Sequence, residues 1–157
     1  DSGQFVHRFY TDDHLMMQAM SDDAEGRESY DFSLFMPWTS AYPPGEREKR
    51  MWRDRLSEPV FHGAAEELPD YPRYWFAESD ARQPPVTLWE DVWDDRTATR
   101  PWSRIFQTCM LYARELEAGR ELMLALEMQP EDANGKPGDV SHEIMIGIPL
   151  EMAEFRA

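Results

Sequence analysis

The sequence predicts an α+β domain, in which an antiparallel sheet of about four strands is covered by three or four helices. Three observations predict it. Residues 101–118 carry apolar side chains at helical spacing, residues 121–128 and 140–150 alternate apolar and polar side chains, and a turn-rich loop at 131–139 connects these two segments. We therefore expect a long helix that packs against a C-terminal β-hairpin.

The N-terminal part predicts a strand, a helix and a second strand. Residues 4–10 are short and mixed, and we interpret them as a strand. Thr11 is a suitable N-cap for a helix to about Met20, with carboxylates in its first turn where the helix dipole favours them. Residues 21–28 are predicted to form a solvated loop, and alternation over 30–36 predicts a half-buried strand.

The middle of the chain predicts two more helices and a strand. Residues 45–57 form a highly charged helix that docks through Met51, Trp52 and Leu56. Residues 73–78 are interpreted as a strand. The Thr87-x-x-Glu90 spacing is a capping-box pattern, which predicts that a short helix begins there. Its apolar residues are Leu88, Trp89, Val92 and Trp93.

The helix predicted at 101–118 has clear start and stop signals. Pro101 suits the first helical position, and Gly119 suits a left-handed C-terminal stop. Cys109 falls on the apolar stripe and is interpreted as a small core residue, because a reactive thiol favours a basic, accessible position. The stripe consists of Trp102, Ile105, Phe106, Cys109, Tyr112, Ala113 and Leu116.

Composition limits the possible classes of protein. The 157 residues fit one domain, 1–157, with 41% hydrophobic residues, too many for a disordered acidic tail. The net charge of −15 argues against binding to nucleic-acid backbones and to anionic membranes. No apolar run is long enough for a membrane span. The single cysteine excludes an internal disulfide and is compatible with the cytoplasm, which is the location we expect.

The motifs for cofactors and metals are missing from the sequence. It contains neither a Gly-rich phosphate loop nor a His-x-x-x-His or His-Glu-x-x-His pair, so we predict no cofactor and no metal. A small hydrolase that uses Glu127, Glu143 and His142 is an alternative. Alternation, however, places both glutamates on a solvated sheet face, and His142 is interpreted as a hydrogen-bonded core residue.

The segment Leu88–Asp95 is the candidate partner-binding site. On the predicted helix two indoles, four residues apart, share one face and are surrounded by acids. Tryptophan anchors among carboxylates suit a basic, partly apolar partner, although both indoles could instead pack against the sheet. The candidate residues are Trp89, Glu90, Asp91, Trp93, Asp94 and Asp95.

The acid excess favours a binding function. A small domain needs a net charge of only about 2–8 in magnitude for solubility, and the surplus would attract a cationic protein. An acidic proteome would produce the same surplus without a functional reason. The predicted function is a non-enzymatic acidic protein that covers a basic surface of a partner protein, as immunity proteins, inhibitors and chaperones do. The main alternative is a structural subunit of a phage, secretion or conjugation assembly, and the oligomeric state stays open.

Overall fold

The computed structural model describes residues 6–11, 13–22, 29–93 and 103–151. These residues form nine strands and one α-helix, together with a 3₁₀ turn at 64–66. The helix is α1 (Glu46–Leu56), and the strands are β1 (Val6–Tyr10), β2 (Met16–Asp22), β3 (Ser29–Ala41), β4 (Val60–Phe61), β5 (Tyr71–Pro72), β6 (Val86–Val92), β7 (Ser103–Leu116), β8 (Gly119–Glu131) and β9 (Ser141–Leu150).

Seven of the strands form one antiparallel sheet in the order β1-β2-β3-β9-β8-β7-β6, while β4 pairs with β5. The sheet curls strongly, and a contact between distant strands shows this. The Arg8 guanidinium on β1 donates a hydrogen bond to Gln107 on β7. Five strand spacings separate β1 from β7 along the sheet, which is about 24 Å in a flat sheet. Arg8 and Gln107 therefore meet inside a half-barrel. We call this side the inner face and the opposite side the outer face.

Apolar side chains cover both faces at the centre of the sheet. The outer cluster lies against α1 and the segment that contains β4 and β5. Cys109 lies in the inner cluster, and burial raises the pKa of its thiol to about 11, so its prediction as a core residue is confirmed. The inner cluster is Met16, Phe35, Cys109, Leu111, Ala113, Leu122, Leu124, Leu126 and Met145. The outer cluster is Leu56, Phe61, Tyr71, Met110, Tyr112, Met123, Ala125 and Ile144.

The expected α+β class is wrong. The described residues are mostly β, with one helix in place of three or four and a seven-stranded sheet in place of four strands. The helix predicted at 45–57 is confirmed as α1, and the strand predicted at 30–36 is confirmed within the longer β3. The C-terminal hairpin is also confirmed, since β8 and β9 pair antiparallel.

Residues 103–116 form β7 and not the long helix predicted at 101–118. Every side chain from Gln107 to Ala113 is buried, because the sheet is covered on both faces there. A strand covered on both faces loses its alternation, so its continuous apolar run also matches helical spacing. Gly119 ends no helix; its φ of +134° allows the two-residue turn that leads back from Leu116 into β8.

The helix predicted from Thr11 is also a strand. The Thr11 hydroxyl accepts a hydrogen bond from the Leu15 N–H at 3.2 Å, and the Thr11 N–H donates to the Leu15 carbonyl at 3.0 Å. Thr11 therefore stabilises the turn between β1 and β2. The same residue type caps helices and closes turns, because in both cases its short side chain satisfies a nearby backbone amide.

The helix predicted from Thr87 is the edge strand β6, in which half-buried and exposed side chains alternate. Val86, Leu88 and Val92 already have this period of two in the sequence. The capping-box spacing of Thr87 and Glu90 obscured it, although such a spacing carries little weight without a helical apolar stripe.

The strand predicted at 73–78 is a series of turns, with one isolated bridge from Arg73 to Tyr112. The buried Arg73 guanidinium donates to the carbonyl oxygens of Phe76, Ser79 and Ala81. These bonds fold the segment around the arginine, so its backbone does not join the sheet.

Helix α1 docks on the outer face through part of the predicted stripe. Leu56 is buried and Trp52 is half-buried, but Met51 is 58% exposed, contrary to the prediction. From α1 the Arg53 side chain reaches Glu127 on β8. In the described part of the chain, no helix is long and apolar enough to cross a lipid bilayer.

Candidate partner-binding groove

The outer face of the sheet is only partly covered, and an open part lies beside α1. Cross-strand pairing places Trp89 of β6, Phe106 of β7 and Gln129 of β8 in one row across the strands. These three side chains form the floor of the open part. The adjacent row consists of Asp91, Arg104 and Glu131.

An open groove runs along these rows. Beside Trp89 it contains a cavity of about 180 Å³, which Glu131 and Pro137 also line. A second cavity of about 250 Å³ continues to Arg53 at the edge of α1. Because both cavities share Phe106 and Gln129, they form one continuous surface, which we call the outer groove. Its residues are Arg53, Trp89, Phe106, Thr108, Glu127, Gln129, Glu131 and Pro137.

Trp89 is the main aromatic residue of the outer groove. Its ring is 5.0 Å from the ring of Phe106, centroid to centroid, and the residue is 47% exposed. The Arg104 guanidinium lies 4.6 Å from the Trp89 ring centroid, and Arg104 Nε donates to Asp91 Oδ1 at 3.0 Å. A cation is thus already held between an indole face and a carboxylate at this position.

Glu127 closes the end of the groove that faces α1. Arg53 Nε and Nη2 donate to Glu127 Oε1 at 3.0 and 2.8 Å, and His142 Nε2 lies 2.8 Å from Glu127 Oε2. Trp52 stacks on the His142 ring with centroids 4.7 Å apart. Both carboxylate oxygens are therefore bonded, and they attach α1 to β8 and β9.

The surroundings of Glu127 favour its charged form. Burial raises the pKa of Glu127, but the hydrogen bonds from His142 and Arg53 and their charges outweigh burial and hold this pKa below its usual range. The carboxylate is therefore ionised at neutral pH and committed to two partners. This arrangement supports a structural role for Glu127 more than proton transfer, which needs a group whose pKa lies near the working pH.

The second glutamate of the hydrolase alternative lies on the other face. Glu143 pairs with Leu126 across β8, whereas Glu127 pairs with His142. Ser40 Oγ donates to Glu143 Oε1 at 3.2 Å, and burial raises the pKa of Glu143 despite this bond. The sheet therefore separates the two carboxylates. Within the described ranges, no group of three histidine, cysteine or acidic residues could hold a metal ion.

The predicted partner-binding residues do not share one face. Trp89 and Asp91 lie on the outer face, while Glu90 lies on the inner face between them. The predicted helical face shared by Trp89 and Trp93 does not exist, because residues 86–92 form a strand whose successive side chains alternate between the two faces. Trp93 follows β6 and is 52% exposed. Asp94 and Asp95 lie outside the described residues.

Glu90 belongs to a polar cluster on the inner face, which we call the inner clasp. The Tyr10 hydroxyl donates to Glu90 Oε1 at 2.8 Å, and Gln107 Nε2 donates to Oε2 at 2.6 Å. Arg8 Nη1 lies 3.7 Å from Glu90 Oε1, and Arg8 Nε donates to Gln18 Oε1 at 3.0 Å. The clasp links the two outermost strands of the sheet, β1 and β6, through side chains. It thereby fixes the strand that carries Trp89.

Sequence reasoning missed most of the outer groove. Phe106 was assigned to a helix, Glu131 was assigned to the turn-rich loop at 131–139, and Gln129 was assigned to no element. The alternation of Val86, Leu88 and Val92 was the one signal that could have placed Trp89 on a strand. The register that forms the two rows is a property of the folded chain, and periodicity alone does not contain it.

The comparisons with known proteins bear on ancestry and not on chemistry. Neither the curated proteins nor the solved structures contain a match to this chain. The model of one protein family covers residues 1–156, which is nearly the whole chain. The chain therefore belongs to DUF2491, a family described as proteins of unknown function.

Proposed function

We propose that this protein is a non-enzymatic acidic binding protein that covers a basic surface of a partner protein through the outer groove. The observation that carries the proposal is the half-exposed Trp89 ring beside Phe106 and the carboxylates of Asp91 and Glu131. Aromatic side chains with exposed faces and charged neighbours are typical anchors of protein interfaces.

The charge of the molecule supports the same function. A net charge of −15 creates a long-range field that accelerates encounters with a cationic protein. The nearby cations Arg53 and Arg104 are each bonded to a carboxylate of the chain itself, Glu127 and Asp91. They therefore do little to oppose the approach of a basic partner. This is the behaviour of an inhibitor, an immunity protein or a chaperone.

Affinity capture tests this proposal. We expect the immobilised protein to retain basic proteins from its host lysate at low salt and to release them as salt rises, because screening weakens the attraction. Trp89→Ala should abolish retention, whereas Trp38→Ala should not, since Trp38 is a similarly exposed tryptophan outside the groove. Retention that is insensitive to salt, or lost equally in both variants, would contradict the proposal.

One observation favours a second candidate, a structural subunit of a larger assembly. Phe9, Met36 and Ile148 are large apolar residues on the outer face of β1, β3 and β9, and each is exposed. Apolar side chains gathered on an exposed sheet face mark a surface that another chain can cover. Loss of capture in Ile148→Asp together with full capture in Trp89→Ala would favour this function over the first.

A further inference from the structure

The cavity beside Trp89 contains hydrogen-bond acceptors that the chain leaves unused. Among the described residues, the half-buried Glu131 side chain has no hydrogen-bond or ion-pair partner, although Arg104 lies opposite it on β7 and is bonded to Asp91. Gln129 Nε2 donates to the Gly138 carbonyl at 3.1 Å, so the amide oxygen of Gln129 is left as an acceptor. The cavity therefore offers a carboxylate and an amide oxygen.

The remaining walls of this cavity are flat and apolar. Trp89 and Phe106 supply two aromatic rings, and Pro137 supplies an aliphatic side. A ligand that fits must have an apolar stem, a planar cationic head and several donors without acceptors. The arginine side chain has all of these features, whereas the lysine ammonium is compact, more strongly hydrated and not planar.

We propose that this cavity binds an arginine side chain of the basic partner, an inference that rests on the proposed function. The guanidinium contacts the exposed part of the Trp89 ring beside Arg104 and donates to Glu131, while its methylene stem lies along Phe106 and Pro137. Arg104 makes the same two kinds of contact on the neighbouring row, with the Trp89 ring and with Asp91. The chain thus already contains one arginine bound in this manner.

Two blocked peptides that differ only in their cations test the inference. The first has four arginines separated by glycines, and the second has four lysines in the same places. We expect calorimetric titration at 150 mM NaCl to show about fivefold tighter binding of the arginine peptide, the effect of one added stacking and bidentate contact. Glu131→Gln should weaken the arginine peptide about tenfold and remove the preference over lysine.

Glu117→Gln is the matched control, because it removes the same charge from the exposed turn between β7 and β8. We expect it to change the affinity for either peptide less than twofold. Equal affinity for the two peptides, or equal effects of Glu131→Gln and Glu117→Gln, would overturn the arginine pocket and leave the basic-partner function in place. Failure of both peptides to bind, even at 20 mM NaCl, would overturn both proposals.

Discussion

Glu127 and Glu143 show how the environment of a single residue decides its contribution to stability. Both are strand glutamates near the same hairpin, yet the pKa of Glu127 is lowered and that of Glu143 is raised. The difference arises because Glu127 contacts both Arg53 of α1 and His142 of β9, whereas Glu143 is buried with a hydrogen bond from one serine hydroxyl. Their effects on folding therefore have opposite signs.

We predict that Glu127→Gln destabilises the protein at pH 7 by about 1–3 kcal/mol, because it removes the buried carboxylate that both Arg53 and His142 contact. A lowered folded-state pKa gives stability that is present above the unfolded pKa of about 4.3 and is lost as pH falls through the folded value. The effect should therefore be smaller at pH 3.5. Urea unfolding at both pH values measures it, and an equal loss at both would contradict the assigned ionisation.

Glu143→Gln is the counterpart within the same prediction. A raised pKa gives stability that is present below the unfolded value and is lost as pH rises through the folded value. Glu143→Gln should therefore leave stability unchanged or increased at pH 7 and unchanged at pH 3.5. Destabilisation at pH 7 as large as that of Glu127→Gln would show that its carboxylate is a needed acceptor.

These two residues also show what the sequence could predict at this scale. The prediction that His142 is hydrogen-bonded matches its contact with Glu127. The placement of Glu127 on a solvated face was wrong, because its side chain is 8% exposed. The strand pattern correctly placed Glu127 off the apolar face of its strand. It did not show that α1, which is distant in sequence, covers Glu127.

At the level of the elements, the contact between β3 and β9 depends on a residue without a side chain. Gly147 pairs with Phe35, and a Cβ at Gly147 would lie 2.4 Å from the Leu34 carbonyl oxygen and 2.5 Å from Phe35 Cδ1. Backbone atoms cannot give way as the end of a flexible side chain can. The buried Phe35 ring therefore occupies the space of the missing side chain.

We predict that Gly147→Ala destabilises the protein by about 1–3 kcal/mol, the usual effect of overpacking a well-packed core. The urea midpoint measures it. Gly138→Ala is the control, because its nearest contact is a Pro130 side-chain atom at 3.2 Å in an exposed region. An equal urea midpoint in both variants would contradict the prediction, because it would show that β3 and β9 move apart enough to accommodate the added methyl group.

Element prediction succeeded where the residue types keep a period along the chain and failed where they do not, although the centres of β7 and β8 are both covered on two faces. Helix α1 and strands β8 and β9 have clear periods and were predicted correctly. Strand β7 runs through the middle of both cores, so seven successive buried residues hid its period. Double cover allows a continuous apolar run such as that of β7, and such a run carries no strand period.

At the level of the whole molecule, the net charge is the property that sequence predicts most directly. A charge of −15 on a chain of 157 residues produces repulsion that compaction increases. The exposed ion pairs of the described residues contribute little, since such pairs are worth about 0–1 kcal/mol each. Repulsion is therefore the dominant long-range electrostatic effect on folding.

We predict that the melting temperature rises by a few degrees between 20 and 200 mM NaCl, because shortening the Debye length from about 20 Å to about 7 Å weakens repulsion more than contact pairs. Differential scanning calorimetry measures it. The melting temperatures in sodium sulfate and in sodium chloride should be compared at equal ionic strength, since sulfate also strengthens apolar burial. A melting temperature that falls with sodium chloride would show that ion pairs outweigh repulsion.

The position of the proposed binding surface could not be predicted from the composition. The composition indicated an acidic protein rich in tryptophan, but the outer groove is assembled from β6, β7 and β8 by their register. A helix at 87–93 would have placed Trp89, Glu90 and Asp91 around one helix axis. The strand instead divides them between a surface that faces solvent and the inner clasp.

The inner clasp has a consequence for how the molecule behaves in concentrated solution. Strands β1 and β6 leave one row of backbone amides and carbonyls each without a strand neighbour in the described structure. Such rows are templates for fibril growth, and inward-pointing charges are one natural defence against it. Arg8 and Glu90 occupy that position on the two edges. Because these two charges are already buried and paired with each other across the half-barrel, a foreign strand at either edge would have to fit beside the clasp or break it, which opposes extension of the sheet.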